Sequence, residues 1–111
     1  MESKTAVSAL GALAHETRLE IFRLLVRAGA PGLAVGRIAE ALGVAANGRL
    51  SFHLKELVAA RLASARQEGR FVYYAANYPE MNELLRYLTE DCCGGVPCGE
   101  IVETCNPEHC A

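Results

Sequence analysis

Residues 38–77 read IAEALGVAANGRLSFHLKELVAARLASARQEGRFVYYAAN, and within this stretch a helical period gives way to a strand-like one. The small residues Ala39 and Gly43, four apart, favour a tight turn between two closely crossing helices. The second of these helices is predicted by apolar residues at i, i+4, i+7 and i+8, namely Leu50, Leu54, Leu57 and Val58. The stretch therefore predicts two helices joined by a short turn.

The end of the same stretch predicts a β-hairpin. Ala63 to Gln67 and Phe71 to Ala76 flank the turn Glu68-Gly69-Arg70. Aromatic and β-branched residues beside a glycine-containing turn are typical of two antiparallel strands. The hairpin would directly follow the helix that contains Leu50 to Val58.

Helical periods also lie on both sides of these elements. In chain order, Gly29 and the pair Pro31-Gly32 end the second helix, and Gly43 ends the third, which is the first helix of the stretch above. The apolar residues of the first three helices are Val7, Leu10, Leu13 and Ala14, then Leu19, Phe22, Leu25 and Val26, then Val35, Ile38 and Leu42. A fifth helix begins at Tyr78-Pro79-Glu80, with an apolar face of Met81, Leu84, Leu85 and Leu88. The order predicts a mainly α fold with a β-hairpin wing (α+β), a winged helix-turn-helix.

Charge divides the 111-residue chain, whose net charge is only −2. Residues 37–70 carry six basic and three acidic side chains, whereas residues 80–111 carry seven acidic ones and one arginine. All five cysteines lie between Cys92 and Cys110. We therefore expect one folded domain over residues 1–90 that binds anions, and a Cys-rich tail over residues 91–111 that binds cations.

The chain is expected in the cytoplasm, without a membrane partner. It has no run of eighteen apolar residues, so no transmembrane helix is predicted. Its N-terminus does not resemble a signal peptide, because His15, Glu16 and Arg18 interrupt the apolar patches there. In a reducing compartment, cysteines are more often metal ligands or redox groups than structural disulfides. Their odd number also disfavours a framework built only of disulfides.

The helix over residues 50–58 carries the candidate contacts to nucleic acid. Its helical phase turns Phe52 away from the apolar face, with Arg49, Ser51 and Lys55 beside it. An aromatic ring on this face can touch a thymine methyl in a major groove, while polar neighbours reach base edges. Alternatively, Phe52 packs against a neighbouring element or a second copy. His53 is either a packed residue or a phosphate contact.

The hairpin adds two cations, Arg66 and Arg70, which suit phosphate or minor-groove contacts. These contacts give affinity rather than specificity. A hairpin whose arginines are only solvated is the alternative interpretation.

Three motifs resemble the ArsR/SmtB family of metal-responsive repressors: HETRLEIFRLL, SFHLKEL and QEGRFVYY, within a likeness over residues 7–90. The resemblance implies a homodimer paired through its first and last helices that binds double-stranded operator DNA and releases it on binding metal. It also assigns Asn47 and Arg49 to the start of the DNA-reading helix. One departure lies there, since six residues separate Gly43 from Leu50 where relatives have five.

The familiar metal ligands of that family are absent from this sequence. Ala34 and Gly36, in the stretch that matches the third helix, stand where relatives have thiols, and residues 78–89 contain neither Asp nor His. The tail resembles the arsenite-responsive subgroup with C-terminal thiols. This implies As(III) or Sb(III) as the inducer and a role in arsenical resistance.

Three tail thiols are the predicted ligands of this inducer: Cys92, Cys93 and Cys98. Thiolates select soft ions, and As(III) accepts three of them. The intervening Gly94-Gly95-Val96-Pro97 can turn sharply and bring Cys98 back to the adjacent pair. Ordering Cys105 and Cys110 would lose more conformational entropy.

Two other effectors suit the same fold. Zinc or cadmium prefers four ligands, which the five thiolates and His109 could supply. A redox switch could use Cys92 and Cys93. An enzyme is not expected, because the thiols follow a helix C-terminus beside Glu90 and Asp91, and such surroundings raise a thiol pKa rather than lower it. Whether the ligands come from one subunit or two is left open.

Overall fold

The computed structural model describes residues 1–90, so the tail and every cysteine lie outside the described residues. Five helices and three strands follow one another over this range. In chain order they are α1 (Ser3–Leu13), α2 (Glu16–Ala28), β1 (Leu33–Ala34), α3 (Val35–Leu42), α4 (Gly48–Ala59), β2 (Ala63–Glu68), β3 (Phe71–Ala76) and α5 (Tyr78–Thr89). The predicted winged helix-turn-helix is confirmed.

Local capping explains where the helix-turn-helix unit begins and ends. Gly43 takes φ +68° after α3, and the next amide, of Val44, donates to the carbonyl of Ala39 at 3.0 Å. This left-handed cap is the usual reason for glycine at a helix end. Asn47 then accepts bonds from the amides of Arg49 and Leu50, so α4 begins at Gly48.

The wing is a three-stranded antiparallel sheet rather than a hairpin alone. Its order is β1-β3-β2, with Leu33 opposite Tyr74. β1 was not predicted from the sequence, and it forms because Leu33 and Ala34 pair with β3, whereas α3 begins at Val35 as predicted. Gly32 permits this approach, since a Cβ there would lie 2.4 Å from the carbonyl oxygen of Tyr74.

The core lies between the helices and the inner face of the sheet. Its largest fully buried side chains are Ile21, Leu25, Ile38, Leu54, Leu57 and Leu62. Leu19, predicted on the inward stripe of α2, is 43% exposed, and Ile21 is buried instead. Within residues 1–90, no helix is both long and apolar enough to cross a membrane.

Candidate nucleic-acid interface

The exposed side of α4 carries the side chains predicted to meet nucleic acid. Leu50, Leu54 and Leu57 are buried, whereas Phe52 is 54% exposed. Arg49 and Lys55 are also exposed, and Ser51 is half-buried. The predicted helical phase is thus confirmed, and α4 presents one aromatic ring between two cations.

Three residues of the predicted interface line one cavity at the start of α4. Asn47 and Arg49 lie on its wall together with His53, and the cavity has a volume of about 240 Å³ between α4, the preceding turn and α2. The carbonyl oxygen of the Asn47 side chain is already engaged in capping the helix. Asn47 therefore fixes the backbone position of Arg49, and its contact with DNA stays a prediction.

His53 is packed rather than exposed. Only 7% of it is accessible, and its ring centroid lies 4.6 Å from that of His15. Burial lowers the pKa of His53 below its ordinary value, and repulsion from His15, Arg18 and Arg49 lowers it further, opposed by Glu56. This placement favours the packed interpretation. A phosphate contact by His53 stays a prediction, and we leave it out of the proposed interface.

Phe52 faces a cleft as well as solvent. The cleft, of about 380 Å³, runs between α4 and α1, and its wall includes Gly11, Ala12 and Arg18. Phe52 therefore packs against a neighbouring element only in part, because more than half of the side chain stays accessible.

The two arginines of the wing differ in their surroundings. The guanidinium of Arg66 donates from Nε to Glu68 Oε1 at 2.8 Å and from an Nη to the carbonyl of Pro31 at 3.0 Å. Its central carbon also lies 5.3 Å from the ring centre of Tyr73. Arg66 thus ties the wing to the loop before β1, which the sequence did not reveal because Pro31 is 35 residues away.

Arg70 stands at the exposed tip, beside Gly69 with φ +62°. The ion pairs within residues 1–90 involve Arg66 and Arg86 and the N-terminal amine, and none involves Arg70, Arg49 or Lys55. These three cations are therefore not neutralised by a neighbouring carboxylate in the described part of the chain.

Two residues of this region were missed by the sequence analysis. Phe71, the first residue of β3, is 60% exposed beside Arg70. Arg18 links α1 to α4, since its Nε donates to the carbonyl of Ala12 and an Nη lies 3.5 Å from Nδ1 of His53. The exposed aromatic in the hairpin could have been noticed from the strand alternation, whereas the Arg18 contacts required the tertiary structure.

The predicted metalloid ligands Cys92, Cys93 and Cys98 lie outside the described residues. Within residues 1–90, no three His, Cys, Asp or Glu side chains come together in an arrangement that could hold a metal ion. The thiol site therefore stays a prediction from the sequence.

Comparisons with known proteins point to one group. A family of helix-turn-helix domains matches residues 13–64. An ArsR-like transcriptional regulator from Rhodococcus sp. RHA1 has 32% sequence identity and a TM-score of 0.67, over 77% of this chain and 76% of that one. HlyU from Vibrio cholerae N16961 has 30% identity and a TM-score of 0.64, over 84% of this chain and 99% of that one.

A third structure is the homodimeric winged helix-turn-helix DNA-binding domain of Mb0332 from Mycobacterium bovis, described as a possible ArsR-family regulator. It has 27% identity and a TM-score of 0.63, over 79% of this chain and 81% of that one. A comparison with curated proteins found no match.

Proposed function

The chain belongs to the ArsR-like family of transcriptional regulators, and from that premise we propose that it is a homodimeric repressor released from operator DNA by As(III) or Sb(III). The observation that carries the proposal is the combination of an exposed cationic reading helix with five cysteines that follow α5 in the sequence. The first feature suits DNA, and the second suits a soft metalloid.

The DNA-binding part rests on α4. Arg49 and Lys55 are exposed without a carboxylate partner in the described residues, and Phe52 lies between them. Arg and Lys beside an aromatic ring can contact phosphates and base edges when a helix enters the major groove. Phosphate contacts release counterions, so binding should weaken steeply as salt is added.

The homodimer is supported by an apolar surface on α1 and α5, which we call the α1/α5 face. α1 buries its small residues Ala6 and Ala9, whereas its larger residues Val7 and Leu10 are exposed. Val7 is 65% exposed, Leu10 42% and, on α5, Leu88 55%. Exposed apolar side chains of this size on two helices that pack against each other suit a surface that another protein covers. A second copy, as in the homodimeric Mycobacterium bovis structure, would cover them.

The effector part rests on the order of elements. The cysteine-rich tail follows α5 directly, and α5 packs against α1. Cys92, Cys93 and Cys98 would supply three thiolates to one metalloid atom. Because the tail is joined to α5, metalloid binding there would change the relative positions of the two subunits. Coupling between two such sites is typically about 1–3 kcal/mol, and DNA must weaken metalloid binding by the same factor.

The experiment that tests this function measures DNA release by three effectors in parallel. An operator is first selected from random duplexes by the full-length protein, and its binding is then titrated with arsenite, zinc and an oxidant. Release of the operator at a lower concentration of arsenite than of zinc or of the oxidant supports the proposal. Release by zinc alone would favour the zinc/cadmium alternative. Release by the oxidant alone, reversed by a reductant, would favour the redox alternative.

A further inference from the structure

The tip of the wing combines an unpaired cation with an exposed aromatic ring. Phe71 is opposite Glu68 in the β2–β3 ladder, immediately after the Gly69-Arg70 turn. It is 60% exposed, which exceeds the exposure of Phe52 on α4. The fold does not use this ring as core.

The alternation of β3 explains why the ring is exposed. Ala76 is buried opposite Ala63, and Tyr74 packs against the core, so residues of this parity face inward. Phe71 and Tyr73 have the opposite parity and share the outer face of the sheet, with ring centroids 6.5 Å apart. The outer face therefore carries two neighbouring aromatic rings.

The cations near these rings have separate roles. Arg66 lies over Tyr73 and is neutralised by Glu68. Arg70 has no carboxylate partner in the described residues, so the tip carries its positive charge beside the uncovered ring of Phe71. An arginine beside an apolar side chain matches the chemistry of a DNA minor groove, where the cation meets the negative potential and the apolar group packs on sugars or a base step.

We infer that Phe71 is a DNA-contacting residue that gives the protein a preference for deformable base steps beside its half-sites. Arg70 enters the minor groove at the flank of each half-site, and Phe71 presses on the adjacent step. Pyrimidine–purine steps unstack most readily, so they are the preferred sequence at that position. Arg66 holds the wing in place and makes no contact of its own. This inference rests on the proposed DNA-binding function.

The test compares full-length variants on operators selected from random duplexes by the parent protein. Phe71→Ala should leave the core half-site unchanged but abolish the preference for a pyrimidine–purine flank, with roughly tenfold weaker binding to flanked operators. Phe71→Leu, which keeps an apolar group, should retain part of that preference. Leu19→Ala, which removes an exposed apolar side chain from α2, is the matched control and should change neither quantity.

The salt dependence of binding distinguishes the roles of Arg70 and Arg66, and it tests the DNA-binding function independently of the role of Phe71. Arg70→Ala should lower the slope of log K against log salt by about 0.9 for each subunit, hence by about 1.8 for the homodimer, whereas Arg66→Ala should lower the melting temperature and leave the slope unchanged. If Phe71→Ala binds every flank as the parent does while Arg70→Ala lowers the slope, the role of Phe71 is overturned and the DNA-binding function stands. If the parent selects no sequence, both are overturned.

Discussion

Arg18 joins the end of α1 to the reading helix through His53. Its Nε donates to the carbonyl of Ala12 at 2.8 Å, and an Nη lies 3.5 Å from Nδ1 of His53. Since a guanidinium can only donate, Nδ1 must be the unprotonated acceptor of the imidazole. The end of α1 and the DNA-reading helix are thus connected by one side chain of α2 that favours neutral His53.

The burial of His53 among cationic neighbours makes stability depend on pH. Burial and the neighbouring His15, Arg18 and Arg49 lower the pKa of His53 in the folded state, whereas the unfolded chain keeps a value near 6.5. The stabilisation is complete above about pH 6.5 and is lost as the pH falls through the folded-state pKa, because the unfolded state binds the proton first. Urea unfolding at pH 7.5 and pH 5.5 should show lower stability at the acid value. The loss should be smaller in His53→Gln, and an equal loss in both proteins would contradict this role.

Phe52→Ala should reduce specific DNA binding more than non-specific binding. The ring is exposed on the reading face, so its loss removes base contacts but no phosphate contact. We expect the ratio of specific to non-specific affinity to fall roughly tenfold, with unfolding stability within about 0.5 kcal/mol of the parent. Filter binding to operator and to random duplex measures the ratio. Equal weakening on both duplexes would show that Phe52 makes no base contact.

Leu88→Glu should dissociate the homodimer. Covering Leu88 with a second copy would bury the introduced carboxylate, so we expect the dimer dissociation constant to rise roughly 100-fold or more. Sedimentation at micromolar concentration measures this. Leu19→Glu, on an exposed leucine of α2, is the matched control and should remain dimeric. A dimeric Leu88→Glu protein would place the interface elsewhere.

Gly32→Ala should weaken the wing. The residue has φ +74°, and a methyl group would lie 2.4 Å from the backbone oxygen of Tyr74. The left-handed backbone and this clash together should destabilise the fold by roughly 2 kcal/mol or more. Gly43→Ala is the control, since Gly43 has φ +68° but free space around it, so only the backbone term of about 1 kcal/mol applies. Equal urea midpoints for the two variants would contradict the close approach of β1 and β3.

Local patterns predicted most of this fold, and long-range contacts account for what they missed. Residues 35–42 and 78–89 form helices as their periodicity and end signals predict, and the hairpin agrees to within one residue. β1 has only two residues, too few for a pattern, and exists because Leu33 and Ala34 pair with β3.

The candidate site shows the same division. The outward position of Phe52 followed from helical phase and is confirmed. The packing of His53 against Arg18, and the engagement of Arg66 with Pro31, depend on residues 35 positions away in the sequence. No periodicity encodes such partners.

The proposed function requires three tail thiols to couple metalloid binding to DNA release. The most direct measurement is arsenite titration of the full-length protein on its selected operator, compared with single Cys→Ser variants. We expect Cys92→Ser, Cys93→Ser and Cys98→Ser to bind the operator like the parent but to resist arsenite, because two thiolates bind As(III) weakly. Cys105→Ser and Cys110→Ser, on a longer tether, should be released almost like the parent. Release of Cys98→Ser at the parent's arsenite concentration, or resistance of Cys105→Ser equal to that of Cys98→Ser, would contradict the three-thiolate site.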